Sequence, residues 1–186
     1  YRNTLGVIYV IRDPRNVVIS AANHFNTTIE ESVSRLLNNT NLGGDINNNK
    51  SANKVTTHLT TWSMHYNSWK ALKIRERYLL IKYEDLTKNT EKVFIRILDF
   101  IYDLINQKYV LDKLKMKNIL KTTSFDYVQQ LEKEKNFPEK AKHGEDDEKT
   151  FFKYGPNLNK KEILNTKLKD KIETELKNDM TELGYL

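Results

Sequence analysis

Arg12 and Ser20 are the first residues whose types and spacing suggest chemistry. A guanidinium fork matches the oxygens of a phosphate better than any other side chain, and a nearby hydroxyl adds a further partner. Later in the chain, Tyr83 follows an apolar run. Thr123 and Phe125 frame a Thr-Ser-Phe triplet, and Lys153 and Gly155 close a Phe-Phe-Lys-Tyr-Gly segment. An aromatic face with one hydroxyl is a sensible purine site. Each residue also has a plainer reading. Arg12 could sit on a structural carboxylate, and Ser20 could be an exposed helix residue. Tyr83 could cap a strand end, and Thr123 or Ser124 could cap a helix with Phe125 in the core.

The elements that must position these residues can be read from the pattern. Val7 to Ile11 is a β-branched and aromatic run, predicting a short strand buried on both faces as in a parallel sheet. Asp13 is a good N-cap, and Pro14 suits the first helical position, where no N–H is needed. The helix that follows runs to about Phe25. It turns Val17, Val18, Ala21, Ala22 and Phe25 inward on an arc of roughly 140°, with Ser20 outside it. Arg12 thus stands at a strand's carboxyl end, the crevice where open α/β sheets bind ligands. Tyr78 to Tyr83 predicts a second buried strand, and Val93, Phe94, Ile97, Leu98, Ile101 and Leu104 or Ile105 the inward face of a helix from about Thr90.

Between the strands, Thr27 or Thr28 caps a short helix with Val33, Leu36 and Leu37 inward. Residues 38–50, rich in Asn with Gly43-Gly44, read as a flexible surface loop, with a part in covering an acceptor site as the sharper alternative. Val55, Leu59, Trp62, Tyr66 and Trp69 form the stripe of a long helix from about Asn53 to Lys73. After the second strand, Tyr109 to Leu120 and Asp126 to about Lys135 look helical, and 136–150 read as a charged surface loop. Leu164, Leu168, Ile172, Leu176, Met180 and Leu183 stripe a terminal helix that starts near Asn159 or Thr166 and is capped by Gly184. The fold class is therefore α/β, helix-rich, with a parallel sheet flanked by helices.

Composition narrows the function classes. The chain has 186 residues and no Cys, which excludes disulfide frameworks and Cys-based metal sites. His58 and His65 are seven apart, not at the three- or four-residue spacing of helical metal pairs, and His143 to Glu148 fits no EF-hand loop. The former reads as the flank of a packed helix, the latter as a solvated charge run. No apolar run approaches the roughly 20 residues of a membrane span, and a cytoplasmic location is favoured. A net charge of +6 suits an anionic ligand, but Lys is interleaved with Glu and Asp, which argues against nucleic acid.

In order, strand-Arg-x-Pro-helix-Ser, a Trp-bearing helix, strand-Tyr-Glu-Asp-helix, Thr-Ser-Phe and Phe-Phe-Lys-x-Gly resemble the sulfotransferases that use 3′-phosphoadenosine 5′-phosphosulfate (PAPS). The resemblance covers nearly the whole chain. It implies a P-loop-like sheet and transfer of a sulfuryl group from PAPS to an acceptor hydroxyl or amine, with no metal demanded. Carried over, Arg12 and Ser20 hold the cofactor's 3′-phosphate. Tyr83 lies beside the nucleotide, Thr123 hydrogen-bonds the adenine, and Phe125 packs on it. Lys153 and Gly155 close over the 3′-phosphate, although Lys153 and Tyr154 stand where the family carries Arg and Lys. Lys keeps the charge without the bidentate fork, so a weaker or rearranged grip follows.

The family's phosphosulfate loop with its catalytic Lys, and its general-base His, precede the segment matching Arg12. Residues 1–186 are thus expected to be the C-terminal portion of a single sulfotransferase-like domain, inactive alone, with no catalytic residue assigned. His24, His58, His65 and His143 match no family base. Three rival readings stand beside this one. They are a degenerate domain binding nucleotide or a partner without transfer, a basic helical module on nucleic acid, and another α/β nucleotide enzyme such as a kinase. The acceptor class is open.

Overall fold

The computed structural model of the chain describes residues 4–42, 55–75, 77–134, 152–155 and 163–186. In chain order the elements are β1 (Val7–Ile11), α1 (Pro14–Phe25), α2 (Ile29–Leu37), β2 (Thr40–Leu42), β3 (Thr57–Leu59), α3 (Trp62–Lys70), a 3-10 turn (Ala71–Arg75), β4 (Tyr78–Lys82), α4 (Tyr83–Lys88), α5 (Thr90–Leu104), α6 (Lys113–Thr122), α7 (Phe125–Lys133), α8 (Thr166–Glu175) and α9 (Lys177–Glu182). They divide into two compact units, residues 1–12 with 69–159 and residues 13–68 with 160–186.

In the first unit β1 and β4 pair in parallel, Val7 opposite Tyr78 and Ile11 opposite Lys82. The parallel pairing is the one expected; burial on both faces is not what the structure shows. Along β1 exposure alternates, Ile11 being buried while Ile8 and Val10 are 38% and 51% exposed. Among the described residues the helices α4 (Tyr83–Lys88) and α5 (Thr90–Leu104) pack mainly against β4, and Ile8 and Val10 stay exposed. Ile81 and Val93 are buried. Ile101, expected inward on α5, is exposed. Gly6 leads into β1 under α5, where a Cβ would collide with Leu104 Cδ1 and lie 3.1 Å from the Phe100 ring. The helix α4 starts directly at Tyr83, the residue expected to end the second strand, and α6 begins at Lys113 because Asp112 caps it through the N–H groups of Leu114 and Lys115.

In the second unit α1 begins as expected, with Asp13 as N-cap and Pro14 in the first turn. Its buried stripe is rotated from the one anticipated. Arg15, Val18, Ile19 and Ala22 are buried, whereas Phe25 is exposed, with the Arg35 guanidinium 5.6 Å from its ring. Asn26 takes a left-handed backbone that ends the helix. A capping box of Thr28 and Glu31 starts α2, and the Ser32 hydroxyl donates to the Val18 carbonyl at 2.8 Å, joining α2 to α1.

The long helix expected from Asn53 is shorter. Thr57–Leu59 is instead a strand paired antiparallel with Thr40–Leu42, and α3 starts only at Trp62. The β-branched threonines favour the strand, and Thr61 accepts from the Met64 N–H at 3.1 Å, which makes it a helix start. His58 therefore sits on a strand, its Nδ1 2.5 Å from Asn41 Oδ1, rather than on a helix flank. Residues 43–50 of the expected loop and the whole of 136–150, with His143, lie outside the described residues.

The terminal helix divides at Leu176 into α8 and α9. Its stripe is as read: Leu164, Ile172, Leu176, Met180 and Leu183 are all buried, with Leu168 half-buried. Gly184 has a φ of 67°, the Tyr185 N–H reaches the Met180 carbonyl at 2.8 Å, and the Gly184 N–H reaches Thr181 at 3.0 Å. That is a Schellman end, which needs a residue free to adopt positive φ.

Candidate nucleotide site

Arg12 lies immediately after β1. Its guanidinium carbon stands 4.1 Å from the centroid of the Tyr83 ring. Tyr83 lies immediately after β4, so the parallel register that sets Ile11 against Lys82 brings the two residues together. Stacking on an aromatic face is favourable for a guanidinium and leaves its N–H groups to other partners. Arg12 Nε is buried and has no hydrogen-bond partner among the described residues. A buried donor left unmatched is costly, and an anion at this position would satisfy it. Among the described residues no ion pair joins Arg12 to a carboxylate, whereas Asp13 pairs with Arg15.

Arg15 is held as a structural cation in the second unit. Its Nε and Nη2 donate to the two oxygens of Asp13 at 2.9 and 2.7 Å, a bidentate pair. Nη1 donates to Glu173, and Nη2 also donates to the Tyr185 carbonyl at 2.8 Å. Arg15 and Asp13 are only 4% and 2% exposed. The hydrogen bond to Asp13, opposed by burial and helped by Glu173, raises the guanidinium pKa above its ordinary value. Sequence reasoning missed this group, although an N-cap Asp with an Arg two residues on was legible as a pair. Ser20 is also in the second unit, half-buried on α1 and outside the buried stripe, as expected.

Also in the first unit, Thr123 closes α6 and Ser124 caps α7 by accepting from the Tyr127 N–H. The Thr123 hydroxyl donates to the Ile119 carbonyl at 2.7 Å. With its proton given to that carbonyl, the hydroxyl keeps lone pairs free to accept from a ligand. Phe125 is half-buried and meets Phe152 edge to face at 5.9 Å between centroids. Gly155 lies beside the same ring, where a Cβ would make ordinary contact with Phe125 Cε1 at 4.0 Å. Lys153 is exposed, its ammonium 5.4 Å from the Tyr154 ring. Thus the first unit brings together Arg12 with Tyr83, and Phe125 with the Phe152–Gly155 segment.

The fold is shared with solved sulfotransferases. A structure of mouse sulfotransferase SULT7A1 complexed with PAP is 17% identical with a TM-score of 0.60, the alignment covering 95% of this chain and 58% of that one. Retinol dehydratase in complex with androsterone and the inactive cofactor PAP is 16% identical with a TM-score of 0.62, covering 94% and 47%, and its complex with retinol and PAP matches equally. The chain thus spans between about half and three-fifths of the length of these structures. No curated protein matches the sequence significantly. The family model for the sulfotransferase domain matches residues 1–184, and the chain belongs to that family.

Proposed function

We propose that the protein transfers a sulfuryl group from PAPS to an acceptor hydroxyl or amine, leaving adenosine 3′,5′-bisphosphate, and that this chain supplies the 3′-phosphate and adenine side of the cofactor site as a portion of a single domain. The observation that carries the reading is Arg12, a guanidinium held on an aromatic face with a buried Nε and no hydrogen-bond partner among the described residues. In this reading Arg12 and Ser20 hold the 3′-phosphate, with Lys153 and Gly155 completing its enclosure. Tyr83 flanks the nucleotide, Phe125 packs on the base, and Thr123 accepts from its exocyclic amine, consistent with a hydroxyl proton already given to Ile119. Sulfuryl transfer is a relative of phosphoryl transfer, so its demands are in-line positioning and neutralised charge at the leaving phosphate. Cations of the protein can meet the second demand.

Small-molecule alcohols are the acceptors to try first, because a relative of this fold is seen with retinol and with androsterone. Among the described residues no helix is long and apolar enough to cross a membrane; the cytoplasmic location expected from the sequence is to be checked by fractionation. The central test is a calorimetric titration of the complete protein with adenosine 3′,5′-bisphosphate. Arg12→Ala is expected to lose about 1.5–3 kcal/mol of binding free energy, the scale of a charge-assisted contact. An unchanged dissociation constant would overturn the role given to Arg12.

A further inference from the structure

The inward stripe of α7 is chemically mixed. Phe125, Val128, Gln129 and Glu132 recur at the spacing of one helix face, yet two of the four are polar, and Glu132 is only 3% exposed. Both polar side chains reach one backbone unit. The Gln129 side-chain amide donates to the Phe152 carbonyl at 2.9 Å, and Glu132 Oε2 accepts from the Phe152 N–H at 2.9 Å. The peptide groups on either side of a single Cα are thus fixed to the helix, while the Phe152 ring rests against Phe125 on that same helix. A residue gripped at its N–H, its C=O and its ring has little freedom left in φ, ψ or χ1. Lys153 leaves this anchor as the next residue, and Gly155 returns to the Phe125 ring.

We propose that Gln129 and Glu132 are positioning residues of the nucleotide site, which aim the Phe152–Gly155 segment and so the Lys153 ammonium. This rests on the reading above that the segment borders the cofactor's 3′-phosphate. A lysine is a flexible point charge where an arginine fork would partly orient itself. The backbone from which Lys153 springs must therefore supply the direction that its side chain does not. Buried polar pairs of this kind specify one arrangement when every member is satisfied.

The test is calorimetric titration of the complete protein with adenosine 3′,5′-bisphosphate. Glu132→Ala should weaken binding about tenfold, the scale of losing a hydrogen bond to a charged group. Gln129→Glu, an isostere that cannot donate, should weaken it comparably. Glu132→Gln keeps an acceptor oxygen for the Phe152 N–H and should recover most of the loss. Because the clamp acts through Lys153, Lys153→Ala should cost clearly less in the Glu132→Ala background than in the wild type, the signature of coupled residues. Additive losses, or wild-type affinity in Glu132→Ala, would overturn the clamp while leaving the nucleotide reading intact. No binding by the wild-type protein would overturn that reading and the clamp with it.

Discussion

Arg12 and Arg15 are three residues apart and end in opposite circumstances. Arg15, in the unit built around the terminal helices, has its charge matched by two carboxylates and a carbonyl, all from residues of that unit. Arg12, in the unit built around the parallel strands, has an aromatic face and a buried Nε without a hydrogen-bond partner among the described residues. The same side chain thus serves the fold in one unit and is left with unspent capacity in the other. The difference extends to their surroundings. The Arg15 unit buries Val18, Ile19, Val33, Tyr66, Ile172, Leu176, Met180 and Leu183, whereas the Arg12 unit leaves Ile8 and Val10 open on its sheet. Whether an arginine is structural or functional is decided by what completes its hydrogen bonds, not by its place in a motif.

The largest effect should come from breaking the satisfied member. Arg15→Met strands the Asp13 carboxylate in a site with almost no access to water, and losing one partner of a buried ion pair costs about 3–5 kcal/mol. Denaturant unfolding should show that loss as a fall in midpoint at constant slope. Arg12→Met is the control. It removes an unmatched buried donor, so stability should change by less than about 1 kcal/mol in either direction. Equal losses in the two variants would dissolve the comparison and make Arg12 structural as well.

How much of this was legible follows the same division. The terminal stripe and its Gly184 end could be read directly, because local periodicity and a single backbone requirement determine them. The two strand segments, the Asp13-Pro14 helix start and the Thr28 cap were legible for the same reason, whereas the cover on β1 was not. What could not be read depends on partners distant in sequence. Asp13 alone announces a cap; that it also grips Arg15, and that Glu173 and Tyr185 join them, needs α8 and the chain end folded back on α1. The stripe from Val55 to Trp69 satisfied helical spacing, but strand pairing to Thr40–Leu42 took its first part. Periodicity cannot register a competing partner. In the candidate site, Arg12 and Tyr83 were each identified from the sequence, while their stacking follows from strand register. Gln129 and Glu132 were passed over because polar residues on an amphipathic helix are ordinarily solvated.

A smaller effect should come from the ring that carries Arg12. Tyr83→Leu removes the face beneath the guanidinium, worth about 1 kcal/mol for a partly desolvated cation–π contact. In the complete protein, affinity for adenosine 3′,5′-bisphosphate should fall about fivefold, and Tyr83→Phe, which keeps the face, should bind within about twofold of wild type. The loss should vanish in an Arg12→Ala background. A loss of the same size there would mean that Tyr83 meets the nucleotide without acting through Arg12.

The smallest effect probes the cover over β1 itself. Burial pushes the Tyr9 phenol up to about 12, against about 10 in an unfolded chain. The folded state therefore holds this proton longer than the unfolded state does. Stability contributed by the neutral phenol is intact below pH 10 and is lost as pH rises from 10 through 12. The ring is only partly covered, stacked at 6.2 Å on Tyr78, so the fall should be modest. Tyr9→Phe has no proton to lose and should hold its melting temperature better across that window, the difference between the two curves cancelling the lysines that titrate in both. Tyr109 also has a raised pKa, from its hydrogen bond to Asp99 on a half-buried residue; solvent screens that contact, so Tyr109→Phe should move the alkaline limb of the melting curve less than Tyr9→Phe does. If the two phenylalanine variants melt alike above pH 10, the Val7–Tyr9–Ile11 face is no better covered than the Ile8–Val10 face, and the strand that delivers Arg12 is held by its pairing with β4 rather than by a core beneath it.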